Sequence, residues 1–151
     1  LIGVNVLILK IKKGSIMTIE WNPGFETCDA QIDYQHKCLF VLVNRLIHAT
    51  DSLQARECTQ RLLDYLDAHC AYEEMTMHKS HYPEEASHCL DHTKLRTKMR
   101  ALQDNQPNLP PALYKFQLVV IFKEWIQHHI PEHDARLAEF LSYGDTCQAS
   151  L

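Results

Sequence analysis

Two residue pairs inside His69–His92 constrain this chain more than any other feature. His69 and Glu73 are four residues apart, and so are His88 and His92. On an α-helix four residues turn through about 400°, so the members of each pair project from one face, about 40° apart and one turn on. Imidazole and carboxylate together suit iron, zinc or manganese. Between the pairs, Lys79-Ser-His-Tyr-Pro-Glu84 is a short polar loop with a proline, of the kind that turns one helix back along the next. Two adjacent antiparallel helices then aim four donors at a shared point.

The remaining chain carries the same helical period. Ile32, His36, Leu39, Phe40, Val43, Leu46 and Ile47 recur at threes and fours, predicting a helix over Asp33–Ala49 with Asp33 as its N-cap. Leu62, Leu66, His69, Glu73 and Met77 share a face of a second helix, Leu53–Lys79. His88, His92, Leu95, Met99 and Leu102 line up on a third, Pro83–Asp104, which the prolines of Asn105–Pro111 cannot continue. A fourth, Ala112–Leu141, places Leu118, Ile121, Phe122, Trp125 and His129 inward. Four amphipathic helices with short loops predict an all-α, up-down-up-down four-helix bundle. It is preceded by an N-terminal arm in which Asn22-Pro-Gly24 turns and Trp21 and Phe25 cover one side of the core.

The expected domain is 17–145, with a tail over 146–151. At 151 residues the chain is large enough to fold without a metal staple, so any metal is expected to be functional. Residues 1–16 read differently. Leu1–Ile11 is apolar and β-branched, too short to span a bilayer, and its lysines follow the apolar run where a secretory leader would have them precede it. The expectation is that translation starts naturally at Met17 and that 1–16 is upstream sequence, which the N-terminal mass of the natively expressed protein checks. A net charge of −4 without a basic stripe argues against nucleic acid, and no segment suits a membrane. Six cysteines without a Cys-x-x-Cys pair read as reduced thiols of a cytoplasmic protein.

Ten histidines stand out in so short a chain. His36, His69, Glu73, His88, His92 and His129 each occupy a position that the helical period reserves for the core. An unsatisfied buried polar group costs about 1–3 kcal/mol, so each needs a partner. One such histidine is most simply a hydrogen-bonded core residue; five on four helices point to metal. A donor set of this size, carboxylates included, exceeds one tetrahedral zinc and suits two metals of higher coordination. Glu74 is expected to be a solvated neighbour, and His48, His78, His81 and His128 surface or loop histidines. Cys70 and Cys89, each about 100° round from the preceding ligand, are expected to pack rather than bind.

Ile32-Asp-Tyr-Gln-His-Lys37 with Leu39-Phe40, His69-Cys-Ala-Tyr-Glu-Glu-Met75, Tyr82-Pro83, His88-x-x-x-His92, and Trp125-x-x-x-His129-Ile130 with Asp134 resemble bacterial hemerythrins, from about Trp21 to Leu141. The resemblance implies two non-haem iron ions: one bound by His88, His92 and His129, the other by His36 and His69, with Glu73 and Asp134 bridging. It implies reversible dioxygen binding at the two-histidine iron, which keeps an open position, in a carrier, store or sensor rather than an enzyme. Dioxygen is then the partner, with an oxygen-consuming enzyme as recipient. Leu39, Phe40, Val43, Leu66 and Trp125 would keep water away. The alternative is a di-iron enzyme acting on peroxide, dioxygen or nitric oxide. Five histidines to two carboxylates favour the carrier over it, because ferritin-like di-iron sites are richer in glutamate. The chain departs from the family's usual Thr-Gly followed by an apolar residue at Thr27-Cys28-Asp29.

Asp134 needs separate argument. It lies five residues after His129, about 140° away on a regular helix, whereas His133 lies at the better-placed fourth position. Pro131 stands between them and disrupts the backbone bond to Gln127. The expectation is a kink or wide turn within Gln127–Asp134, which swings Asp134 inward and leaves His133 outside the metal-binding set.

Overall fold

Short connectors join long amphipathic helices, and the bundle follows from that arrangement. The computed structural model describes residues 18–148, with side chains through residue 143. The expectations for residues 1–16 and for Met17 lie outside the described residues, as does the end of the tail. The helices are α1 (Ala30–His48), α2 (Ser52–Ser80), α3 (Glu85–Asp104), α4 (Pro111–His129) and α5 (Ala135–Gln148). A π-helical turn, Ile130–Asp134, joins the last two. α1 packs on α2, α2 on α3, α3 on α4, and α4 back onto α1, which closes the expected four-helix bundle. No strand occurs among the described residues, and none of their helices is long and apolar enough to cross a membrane.

The first helix starts earlier than its apolar period suggests, and its cap is a different aspartate. Asp29, extended at φ −98° and ψ 114°, accepts hydrogen bonds from the Gln31 and Ile32 amides at 2.8 and 2.9 Å. Asp33 is not the cap. It instead accepts from the Thr27 amide and hydroxyl at 2.8 and 2.9 Å, and so ties the arm to α1. Ile32, the first residue of the apolar period, lies inside the opening turn, and apolar spacing does not say how far before it the helix begins. Cys28, just before the cap, has φ 68°, a left-handed conformation that glycine adopts without penalty. His81, at φ 54°, ends α2 in the same conformation, and the Tyr82 amide reaches back to the Met77 carbonyl at 3.0 Å.

The arm is anchored at both ends. Asn44 accepts from the Ile19 amide at 2.9 Å and donates to the Ile19 carbonyl at 2.8 Å. Phe25 is buried, and Trp21 packs on Phe25 and Phe40 with ring centroids 5.9 and 5.3 Å apart, as expected. The apolar interior divides in two. A large cluster includes Leu39, Val43, Leu66, Leu95, Leu118 and Phe122; a small one holds Ile32, Met77, Tyr82 and Leu137. The polar positions of each helix fall between residues of these clusters, so they form a layer with apolar packing on both sides.

Candidate metal centre

Every side chain in that layer is buried. His36, His69, Glu73, His88, His92, His129 and Asp134 are each 2% exposed or less. α1 contributes His36, α2 His69 and Glu73, α3 His88 and His92, and α4 with the π turn His129 and Asp134. Asp134 reaches the interior as the sequence predicts, through the turn around Pro131. There the Ala135 amide bonds to the Ile130 carbonyl five residues back, one residue more than a regular helix spans. His133 lies half-buried beside the layer, its ring 5.1 and 5.2 Å from those of His88 and His129, and joins neither main donor group.

The donors separate into two groups. On one side, the Nε2 atoms of His88 and His92 each lie 3.1 Å from Nε2 of His129. Glu73 Oε2 stands 3.4 and 3.3 Å from His88 and His92 Nε2, and Asp134 Oδ1 stands 3.1 and 3.0 Å from His88 and His129 Nε2. On the other, His36 Nε2 is 3.0 Å from Asp134 Oδ2, and His69 Nε2 is 3.7 Å from Glu73 Oε1. Each carboxylate therefore turns one oxygen to each group. One side has three nitrogens and two oxygens, the other two nitrogens and two oxygens.

Ordinary hydrogen bonding does not satisfy all of these donors. Nε2 of His36 and of His69, and all four carboxylate oxygens of Glu73 and Asp134, are buried without an aligned hydrogen-bond partner. Six inward-facing orphans in one layer would cost several kcal/mol at about 1–3 kcal/mol each. Cations remove that cost. A spacing of about 3 Å is also the edge expected between donors set at right angles about 2.1 Å from a common ion. The residues present thus fit two cations sharing two carboxylates.

Electrostatics agree. Burial opposes ionisation of Glu73 and Asp134, yet the surrounding imidazoles hold both carboxyls well below the usual range. Burial lowers the His69 imidazole to about 4, keeping it neutral and able to bind metal. Burial acts the same way on His88 and His129, but Asp134 and Glu73 outweigh it and raise both, His129 with further help from Asp91.

Three outer partners escaped the sequence reading. His69 Nδ1 lies 2.9 Å from Gln35 Oε1, His92 Nδ1 3.0 Å from Glu74 Oε1, and His129 Nδ1 2.8 Å from Asp91 Oδ2. Such bonds fix the tautomer and turn Nε2 inward. Glu74 is therefore not the solvated neighbour expected: it holds His92 and also accepts from Arg96 Nη1 at 2.7 Å. Asp91 additionally accepts from Trp125 Nε1 at 3.2 Å, and the Trp125 ring stacks on His129 at 4.3 Å. Each partner adjoins a buried donor in sequence (Gln35 by His36, Glu74 by Glu73, Asp91 by His92) and reaches the next helix. A polar residue beside a buried donor is the signal that could have found them. His48, His78, His81 and His128 are exposed, as expected. Cys70 is buried and Cys89 partly so, and the five described cysteines are free thiols.

The chain is similar to known proteins. The family model described as "Hemerythrin HHE cation binding domain" matches residues 29–141. Bacteriohemerythrin of Methylococcus capsulatus (strain ATCC 33009 / NCIMB 11132 / Bath) is 29% identical over 113 residues, covering 73% of this chain and 86% of that protein. With the matched segment spanning α1 to α4, the π turn and all seven buried donors, this chain belongs to the hemerythrin HHE cation-binding family.

Proposed function

We propose that the chain binds dioxygen reversibly at a non-haem di-iron centre. His88, His92 and His129 would hold one iron, His36 and His69 the other, and Glu73 and Asp134 would bridge them. The observation that carries this reading is the unequal donor count around two shared carboxylates. The two-histidine side has one protein donor fewer, and that vacancy is where a small ligand fits. A pair of ferrous ions held there would supply the site for dioxygen and the electrons that retain it. The chain's own residues exclude water and fix the donors. Leu39, Phe40, Val43, Leu66 and Trp125 are all buried near the layer, and the His36 ring lies 6.4 Å from Trp21 of the arm. A carrier, store or sensor in the cytoplasm, passing dioxygen to an oxygen-consuming enzyme, belongs to this reading.

Titrating the ferrous-loaded protein with dioxygen tests it. A visible charge-transfer band that appears with dioxygen and vanishes on degassing is the expected result. Irreversible oxidation with turnover of peroxide would overturn it in favour of a di-iron enzyme.

A further inference from the structure

The partners of the outer histidine nitrogens follow an order round the bundle, and the order has a gap. α1 braces α2 through Gln35 and His69, α2 braces α3 through Glu74 and His92, and α3 braces α4 through Asp91 and His129. The next step would brace His36 on α1, but His36 Nδ1 is buried and has no hydrogen-bond partner, as is also true of His88 Nδ1 on the three-histidine side. The braces also differ in charge. Both on the three-histidine side are carboxylates. The one on the two-histidine side is a neutral amide.

A carboxylate accepting from Nδ1–H makes the imidazole a stronger donor at Nε2, and a neutral amide does so much less. Asp91 is the stronger of the two carboxylates, because Glu74 shares its charge with Arg96, which also bonds Asp67 at 3.2 Å. Asp91, among the described residues, accepts from His129 and from the uncharged Trp125 indole.

Resting on the two-metal reading above, we propose that this uneven bracing sets unequal metal retention. Each position has one unbraced histidine, so the charge of the braces makes the difference: Asp91 and Glu74 make the three-histidine position the fast-held one, and the neutral Gln35 leaves the two-histidine position labile. All three act as positioning residues, through the histidines they hold. One metal then stays when the other exchanges, and the exchangeable one is at the position with the vacancy.

The test is competition of the full-length chain, loaded with zinc as a redox-inert probe, against a chromophoric chelator, with His36→Ala used to assign the weaker ion. Wild type should hold two zinc ions of unequal affinity. Gln35→Glu should tighten the weaker about tenfold or more and leave the tighter unchanged, which no purely structural role for Gln35 would produce. Asp91→Asn keeps the shape but removes the charge, and should weaken the tighter ion by about 10–100-fold. Should Asp91→Asn fail to fold, Gln35→Glu alone decides. Unchanged or weakened binding in Gln35→Glu overturns the inference while leaving the di-metal reading intact. Fewer than two zinc ions on wild type overturns both.

Discussion

His36 and His88 differ in what their loss removes. Without His36 the two-histidine side keeps three protein donors, whereas without His88 the other side still keeps four. His36→Ala should therefore purify with close to one metal per chain and His88→Ala with more, as measured by elemental analysis. Equal retention of two metals in both would count against the assignment. Away from the centre, Cys28 sits at φ 68° with its thiol exposed, so its side chain contributes strain and little packing. Cys28→Gly should raise stability by about 0.5–1 kcal/mol, read as a shift in denaturant midpoint, because glycine relieves the strain but adds unfolded-state entropy. Burial pushes the Cys70 thiol up. Cys70 should stay unlabelled by a thiol reagent until the protein unfolds, while Cys28 reacts at once.

At the level of the element, the π turn is one residue inserted into what would otherwise be a continuous fourth helix. The extra residue is what lets Asp134, five positions from His129, face the same way. Deleting Pro131 should restore a regular helix with the aspartate four positions after His129, still on the inner face, and two metals should be retained. Inserting one alanine between Glu132 and His133 should rotate the aspartate by about 100° and cost the chain its metal pair. Elemental analysis with circular dichroism separates these outcomes. Loss of metal in the deletion, with helicity intact, would show that the turn itself is required.

For the whole molecule, metal and fold are linked through protons. In the metal-free chain, His69 is held down at about 4 by burial, while its unfolded value is about 6.5. The folded state thus binds fewer protons there between about pH 4 and 6.5, so the His69 contribution is intact above 6.5 and is lost as pH falls through that window. His88 and His129 are raised, so their contributions are present below about 6.5 and lost as pH rises through the folded values. Binding metal makes the demand uniform, because every Nε2 donor must be unprotonated. Metal content after dialysis should fall steeply as pH drops below about 6, and the melting temperature of the loaded protein should fall with it. A metal content unchanged at pH 4.5 would contradict a histidine-rich centre.

The sequence by itself determined the bundle and the inner donors, because both follow from local rules. An apolar residue every third or fourth position selects a helix and its inward face, and polar residues on that face must find partners. His36, His69, Glu73, His88, His92 and His129 were legible on those grounds. Asp134 needed the family resemblance, together with the disruption that Pro131 brings to a helix. What only the tertiary structure decided lies between helices. Asp29 rather than Asp33 caps α1 because the arm, folded back along the helix, claims Asp33 through Thr27. Glu74, Asp91 and Gln35 flank the inner stripes, where spacing along one helix leaves solvent and a neighbour equally open. Which histidine each one reaches depends on how far one helix is rotated and shifted against the next. No periodicity within a single segment encodes that relation.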